Sequence, residues 1–234
     1  MIISFGCSFT FGDELDDLPK WYEDFNDERN FMPQKEKYHK PSKKSYPYII
    51  GELLKCDVEN YGWRGGSNDR IFRKFFEHLL QNDKSTTYII QWTYPFRTEV
   101  WYSEGNYYSG IVPTFEDKLA ERYYKENFHE IDSRERLIRY MWSVDSVCKQ
   151  FGQELIQFIP LSKDEFDYNA DIKKRIGNTY LDYPLPKIVD FKDSKLPKSL
   201  LNTDKIRRLV NCRIHPTEGG HKRLAEYLTR RIKC

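Results

Sequence analysis

Four short apolar segments alternate along this chain with helical patterns, and this alternation constrains the fold more than any other feature. The segments are rich in β-branched and aromatic residues, as strands buried on both faces of a parallel sheet are. The predicted strands span residues 1–5, 57–61, 87–93 and 154–160. The predicted helices span residues 45–55, 68–81, 133–151 and 217–232. This pattern predicts a three-layer α/β/α sandwich with a mostly parallel sheet of about five strands.

Length and composition fit a single domain with an aromatic core. A chain of 234 residues is long enough to bury one full core. Aromatic residues make up 16% of the chain, so much of that core should be aromatic rather than aliphatic. We therefore expect one domain over residues 1–234.

Charge and hydropathy argue against two classes of protein. Charged residues reach 32% but leave a net charge of only +2, whereas nucleic-acid and membrane-surface proteins carry a one-sided excess. No run of about eighteen apolar residues could span a membrane. The first residues lead directly into a strand rather than into a signal peptide. We expect neither nucleic acid nor a membrane as partner, even though residues 35–44 and 173–175 are basic.

The cysteines carry information on cofactors and on compartment. They lie at positions 7, 56, 148, 212 and 234, without the spacing of a metal site or a disulfide framework. No HExxH segment, P-loop or paired His/Cys spacing is present, so no metal or nucleotide cofactor is predicted. We expect reduced thiols and a cytoplasmic protein.

Three segments do not fit the strand–helix plan and are interpreted as insertions at about 13–44, 101–124 and 164–199. The first is acidic and then basic, which indicates either a solvated loop or a lid over a site. The lid would carry four aromatic side chains, those of Trp21, Tyr22, Phe25 and Phe31. The second is aromatic and could line a substrate pocket. The third is interrupted by prolines at 184, 186 and 197, which predicts irregular structure.

The end of the first strand presents one hydroxyl group. Gly6 and Cys7 lead into Ser8 at a predicted strand-to-helix turn, where a side chain is exposed and backbone N–H groups can stabilise an oxyanion. A serine hydroxyl is a poor nucleophile unless a base lies beside it. Ser8 is therefore either a nucleophile or an ordinary turn or cap residue. Cys7 fits a small buried apolar role better than that of a thiol nucleophile.

Other polar residues should meet Ser8 at the same edge of the sheet. Gly65 and Asn68 follow the second predicted strand, and Thr93 and Arg97 follow the third. In a parallel sheet with right-handed crossovers, the strand C-termini lie together. Gly65 and Asn68 could equally form a glycine turn and a helix cap.

A histidine precedes the last predicted helix. His215 stands before Pro216, and an imidazole can take a proton from a serine and return it to a leaving group. His221, six residues later, fits a packing role on the helix.

Taken in chain order, these blocks resemble the SGNH (GDSL-type) esterases, above all the phage and bacterial branch that begins with G-C-S-F-T. The motif-level matches are residues 5–15, 60–71, 90–99 and 212–225. The resemblance implies Ser8 as nucleophile and His215 as base. The oxyanion donors would be the N–H groups of Ser8 and Gly65, together with Thr93 or Asn68. Arg97 could stabilise an oxyanion or hold an anionic substrate group, or it could have a structural role and pair with Glu99. The resemblance is compatible with a virus-encoded origin.

The chain departs from the family at two positions. Cys212 stands where the family has an aspartate, three residues before the histidine, and Thr93 stands where many members have asparagine. An acid orients the imidazole in triads of this kind. Three alternatives follow: a Ser–His dyad held by a backbone carbonyl, an acid from Asp190, Asp193 or Asp204, or a degenerate site that only binds.

The resemblance implies a serine esterase or deacetylase that hydrolyses small acyl esters through an acyl-serine intermediate. Its substrates would be small esters or acylated carbohydrates, including O-acetyl groups on sugars, and this expectation rests on the family alone. The alternative is a catalytically degenerate SGNH-fold module with a binding or structural role.

Overall fold

The centre of the fold is a parallel four-stranded sheet. The computed structural model describes residues 1–13, 15, 17, 40–81, 85–102, 107–111, 118–160, 169–181 and 215–232. The strands of the sheet are β1 (Ile2–Gly6), β2 (Val58–Gly62), β3 (Thr87–Gln91) and β6 (Glu154–Phe158), in the spatial order β2-β1-β3-β6. All three strand pairs are parallel. The C-terminal ends of the four strands therefore lie along one edge.

A separate antiparallel hairpin follows β3. It consists of β4 (Thr98–Tyr102) and β5 (Tyr107–Ile111). It occupies part of the segment 101–124, for which the sequence indicates only an aromatic insertion. Two strands of five residues give too few repeats for a period of two to stand out in the sequence.

Helices cover both faces of the sheet. Their bounds are α1 (Ser8–Phe11), α2 (Tyr46–Leu54), α3 (Asn68–Leu79), α4 (Lys118–Glu126), α5 (Glu130–Gln150), α6 (Asn169–Ile176) and α7 (Glu218–Thr229). A 3₁₀ turn, Gly177–Thr179, continues α6. The four helices predicted from periodicity correspond to α2, α3, α5 and α7.

Two hydrophobic clusters separate the layers. On one face, Ile3 and Phe5 of β1 pack with α3, α5 and α6. On the other face, Ile2 of β1 packs with α2 and α7. Alternate residues of a strand point to opposite faces, so each buried strand needs apolar residues on both sides. The predicted three-layer α/β/α class is confirmed.

The described residues contain four strands of the main sheet, where about five were expected. Tyr180 forms an isolated parallel bridge with Gln157, on the outer side of β6 where a fifth strand would lie. The segment 164–199 also contains a helix, α6, where irregular structure was expected. Its prolines, and the aromatic residues of the proposed lid, lie outside the described residues.

Two further expectations can be compared with the described part of the chain. Within it, no helix is long and apolar enough to cross a membrane. Cys7 and Cys148 are buried there and form no disulfide.

Candidate active site

The turn between β1 and α1 is set by glycines that leave no room for a side chain. A Cβ at Gly6 would lie 1.9 Å from Thr10 Oγ1 and 3.1 Å from Gln91 O. A Cβ at Gly62, the last residue of β2, would lie 2.4 Å from the backbone nitrogen of Phe11. Because both positions must be glycine, α1 sits directly on the ends of β1 and β2. Ser8 is the first residue of α1 and is therefore held at the C-terminal edge of the sheet.

A buried hydrogen-bond network supports this turn from below. Thr10 Oγ1 donates to Gln91 Oε1 at 2.7 Å and lies 3.0 Å from the Tyr46 hydroxyl. Ser4 Oγ lies 3.4 Å from the same Tyr46 hydroxyl, and Gln91 Nε2 donates to Cys7 Sγ at 3.5 Å. Burial raises the pKa of the Tyr46 hydroxyl far above its usual range, so it stays a neutral hydrogen-bonding group. The network ties the turn that carries Ser8 to β3 and to α2.

His215 lies beside Ser8. The distance from His215 Nε2 to Ser8 Oγ is 2.9 Å, within hydrogen-bonding range, and 207 positions separate the two residues in the chain. The ring of Phe9 meets the imidazole edge-on, with 5.3 Å between the ring centroids. The structure therefore brings together the two residues that stand at opposite ends of the sequence.

The start of α7 explains why His215 has this position. Thr217 caps the helix by accepting a hydrogen bond from Gly220 N. His221, one turn into α7, is fully buried, and its Nδ1 accepts a hydrogen bond from Tyr46 N at 3.1 Å. Its ring also stacks on that of Tyr46. His221 thus has the packing role expected for it, and it anchors the helix that follows His215.

The motif segment 60–71 packs against the turn that carries Ser8. Trp63 N donates to Gly6 O, and Gly65 has a φ of +66°, a conformation that favours glycine. A Cβ at Gly66 would lie 3.4 Å from Gly6 O and 3.5 Å from Cys7 Cα. Asn60 Nδ2 donates to Thr10 O at 2.8 Å and so fixes the end of α1 to β2. Gly65 is therefore held in the turn that packs on Ser8's own turn.

Asn68 holds the loop after β3. Its Oδ1 accepts a hydrogen bond from Thr93 N at 2.8 Å, and its Nδ2 donates to Thr93 O at 3.1 Å and to Tyr94 O at 3.2 Å. Both hydrogens of this amide are thus donated to backbone carbonyls. To act as an oxyanion donor, Asn68 would have to break at least one of these bonds.

Thr93 and Arg97 retain hydrogen-bonding capacity. Thr93 is 1% exposed, and its Oγ1 has no hydrogen-bond partner among the described residues. The same holds for Nε and Nη1 of Arg97, whose guanidinium lies 5.6 Å from the centre of the Tyr94 ring. Glu99, the carboxylate nearest to Arg97 in sequence, forms a bidentate ion pair with Arg73 at 3.0–3.2 Å.

One contact at the site was missed by sequence reasoning. Arg64 Nε donates to Asp13 Oδ1 at 2.7 Å, and Asp13 N donates to Ser8 O. The Arg64 guanidinium also lies over the ring of Phe11. This ion pair joins the residue before Gly65 to the segment that follows Ser8. The available signal was the opposite charges of Asp13 and Arg64 within two motif blocks. The many other charged residues of 13–44 made this signal hard to recognise.

In the sequence, Cys212 stands at the position of the family's acid, and three aspartates could replace that acid beside His215. Cys212, Asp190, Asp193 and Asp204 all lie outside the described residues. Within the described ranges, no cluster of three or more His, Cys, Asp or Glu side chains could hold a metal ion. The chemistry available there is that of a serine hydroxyl in contact with an imidazole, beside backbone N–H groups at a helix start.

Comparison with known proteins adds information on the fold. No protein-family model and no curated protein matches the sequence. A G-D-S-L family protein from Desulfitobacterium hafniense DCB-2 aligns over 99% of this chain and 98% of its own, with a TM-score of 0.50 and 15% identity. A carbohydrate esterase family 2 enzyme from Corynascus thermopiles aligns over 98% of this chain and 64% of its own, with a TM-score of 0.49 and 14% identity. A GDSL-like lipase from Bacteroides thetaiotaomicron aligns over 98% of this chain and 86% of its own, with a TM-score of 0.45 and 11% identity.

At such identities a structural likeness bears on the fold and not on the reaction. The parallel sheet, the helices on both faces and the first of these alignments agree with one another. This chain has the fold of the SGNH (GDSL-type) hydrolases.

Proposed function

We propose that this protein is a serine esterase that hydrolyses small acyl esters through an acyl-serine intermediate. The observation that carries the proposal is the 2.9 Å contact between Ser8 Oγ and His215 Nε2. A nucleophile within hydrogen-bonding distance of a base is the geometry that this chemistry needs. The family resemblance extends the proposal to O-acetyl groups on carbohydrate.

Each step can be assigned to a group at the site. Ser8 Oγ attacks the ester carbonyl carbon while His215 Nε2 takes the Ser8 proton. The tetrahedral intermediate collapses, the alcohol leaves with the proton from His215, and the acyl group stays on Ser8. A water molecule then gives its proton to His215 and attacks the acyl carbon. Release of the acid returns that proton to Ser8 Oγ.

The oxyanion of the intermediate needs donors that are already in place. Ser8 is the first residue of α1, so its N–H has no acceptor within the helix. Gly65 N–H is a second candidate, because the next residue, Gly66, packs against Gly6 and Cys7 of the turn that carries Ser8. For the third donor, the unused Thr93 hydroxyl is favoured over Asn68, whose amide hydrogens are already donated.

The imidazole of His215 needs a group to orient it. In this proposal that group is a backbone carbonyl or one of Asp190, Asp193 and Asp204, because Cys212 cannot serve as a carboxylate. A degenerate site that binds acylated carbohydrate without cleaving it is the second candidate function. The replacement of the family's aspartate by Cys212 favours this alternative.

Labelling with a fluorophosphonate serine probe tests the proposal. We expect wild-type protein to be labelled, and Ser8→Ala to abolish the labelling. His215→Ala should slow the labelling by about 10³-fold or more. Ser143→Ala is the matched control, since this serine lies on α5 and donates to Arg139 O within the same helix. Absence of labelling in folded wild-type protein would overturn the esterase proposal in favour of the binding module.

A further inference from the structure

Arg97 lies at the edge of the sheet that carries Ser8, and no carboxylate of the described residues forms an ion pair with it. Two of its nitrogens are buried without a hydrogen-bond partner among the same residues. Arg70 also has a buried Nε without a hydrogen-bond partner among the described residues. Its guanidinium, however, stacks on the ring of Trp63 and is stabilised by the negative charge of Glu99. No described carboxylate stabilises the charge of Arg97 in this way.

A partly buried charge of this kind is costly unless something pairs with it. Buried donors normally find acceptors, and an ionised donor that lacks one loses considerably more than a neutral group does. The described neighbours of Arg97 are not anions. Its guanidinium lies over the ring of Tyr94, and the nearby Phe96 carbonyl already accepts a hydrogen bond from the Tyr124 hydroxyl. Donors on both Arg97 and Thr93 that have no acceptor among the described residues are explained by a bound ligand.

The loop that carries Arg97 is tied to the turn that carries Ser8. Arg97 N closes a turn on Tyr94 O at 3.1 Å, and Asn68 binds the preceding backbone at Thr93 and Tyr94. Asn68 begins α3 just after Gly66, which packs on Cys7, the neighbour of Ser8. A group bound by Arg97 is therefore held on the same rigid edge as the ester to be cleaved.

From these contacts we infer that Arg97 binds a carboxylate group of the substrate, so that this enzyme prefers esters that carry a negative charge. A single uncompensated guanidinium matches a monoanion better than a phosphate ester, whose charge at neutral pH approaches −2. Guanidinium–carboxylate pairs are among the stronger hydrogen-bonded contacts in proteins. This inference rests on the proposed esterase function and adds the chemical class of the substrate.

The test uses two pairs of esters that differ only in charge. One pair places the charge on the alcohol side, as 4-acetoxybenzoate against 4-acetoxybenzamide. The other places it on the acyl side, as the mono-4-nitrophenyl ester of glutaric acid against that of its primary amide, glutaramic acid. We expect wild-type kcat/KM to be at least about ten-fold higher for the carboxylate member of one pair. The pair that shows the preference identifies the side of the ester that Arg97 faces.

Variants separate a local contact from a general effect of charge. Arg97→Met should reduce kcat/KM for the preferred carboxylate ester at least about ten-fold more than for its amide partner, and Arg97→Lys should restore part of the difference. Arg139→Gln, an exposed arginine on α5, removes the same net charge and should leave the preference intact. Equal kcat/KM within both pairs, or a preference that survives Arg97→Met, would overturn the inference.

The failure of this inference can be distinguished from failure of the proposed function. Fluorophosphonate labelling of Ser8 in Arg97→Met shows whether the nucleophile remains active. If wild-type protein is neither labelled nor active on any of the four esters, the esterase proposal fails and binding is measured instead, with 4-acetamidobenzoate by equilibrium dialysis. Weaker binding by Arg97→Met than by Arg139→Gln would then support the carboxylate site, and equal binding would overturn it.

Discussion

The turn that carries Ser8 and the loop that carries Thr93 and Arg97 lie at the same edge of the sheet, but they are built in opposite ways. In the turn that carries Ser8, glycines at 6 and 62 admit no side chain, and the polar groups that pack against the turn are hydrogen-bonded to one another. In the loop after β3, a buried hydroxyl and two guanidinium nitrogens have no hydrogen-bond partner among the described residues.

This difference indicates different roles for the two regions: the turn holds Ser8 in position, and the loop offers hydrogen-bond donors to a ligand. A turn in which polar groups are paired and contacts are tight has one conformation, which suits a nucleophile that must stay within reach of its base. A loop that leaves donors unused carries a cost in the free protein that a bound ligand can remove. Substitutions in the first region should therefore reduce stability, whereas those in the second should change turnover.

The largest effect is expected at the turn that carries Ser8. Gly6→Ala places a methyl group 1.9 Å from Thr10 Oγ1 and 3.1 Å from a backbone oxygen, so the turn must move. We expect the free energy of unfolding to fall by about 3 kcal/mol or more, as measured by urea denaturation. Fluorophosphonate labelling of Ser8 should fall with it.

Gly152→Ala is the control for this change. Gly152 has a φ of +64°, but a Cβ at this position would have no other atom within 4 Å. The expected loss is only the backbone cost of a left-handed residue, about 1–2 kcal/mol. A loss for Gly6→Ala no larger than that of the control would contradict the view that close packing sets the position of Ser8.

Asn68 joins the two regions, and its substitution is expected to have the next largest effect. Asn68→Ala removes three hydrogen bonds to the backbone of Thr93 and Tyr94. We expect a loss of about 2–3 kcal/mol in unfolding free energy and a fall in kcat, because the loop is no longer held. Asn68→Asp keeps an acceptor for Thr93 N but sets a carboxylate against two carbonyl oxygens. If Asn68→Asp were as stable as wild type, the assigned hydrogen bonds would be wrong.

The parts of the fold that could be predicted from the sequence are those with a strong repeating signal. The strands β1, β3 and β6 lie in short segments rich in apolar residues, and the helices α2, α3, α5 and α7 each have apolar residues at helical spacing. The hairpin β4–β5 and the helix α6 lack such a signal. The resemblance to the SGNH family predicted that Ser8 and His215 act together. The rule that parallel strands end at one edge predicted only that Ser8 lies near Gly65 and Thr93.

The bonds that hold the site could not be predicted from the sequence. Asn60, Gln91 and Tyr46 act through contacts between elements far apart in the chain, and no local pattern shows that Thr10 reaches Gln91. The partner of Glu99 is another example, because Arg97 is nearer in sequence but Arg73 is nearer in space. Such pairings depend on how the helices sit on the sheet.

Two threonines allow the comparison between the regions to be made with the same substitution. Thr10→Val removes a hydroxyl that is bonded to Gln91 and Tyr46 and should lower unfolding free energy by about 1–3 kcal/mol. Thr93→Val removes a buried hydroxyl without a described partner and should leave stability unchanged or raise it by about 1 kcal/mol. If Thr93 is an oxyanion donor, kcat should nevertheless fall by about 10²-fold.

Both quantities are measured on both variants, by urea unfolding and by ester hydrolysis. The rate for Thr10→Val is first corrected for its unfolded fraction. The comparison is supported if Thr10→Val is the less stable variant and Thr93→Val is the slower one. A Thr93→Val enzyme with wild-type kcat would remove Thr93 from the oxyanion site while leaving the proposed roles of Ser8 and His215 intact.

The smallest expected effect is on the pH dependence of the unfolding free energy, and it comes from His78, a buried histidine of α3. His78 on α3 packs against Phe5 of β1, and its Nδ1 lies 3.2 Å from the Tyr88 hydroxyl. Burial lowers the pKa of His78 below its ordinary value of 6.5, and Glu59 only partly opposes this shift. As pH falls below about 6.5, the unfolded chain therefore takes up a proton before the folded protein does, and stability is lost until the folded-state pKa is reached.

His78→Asn keeps a hydrogen-bonding group near the position of Nδ1 but cannot titrate. We expect this variant to lose less stability than wild type between neutral and mildly acidic pH, as followed by urea unfolding at a series of pH values. The pH profile of kcat/KM should keep its shape, because the proposed proton transfer belongs to His215 and not to the scaffold. A change in that profile would show that the packing beneath β1 and the proton chemistry at its end are coupled, and the two regions would then no longer be separable.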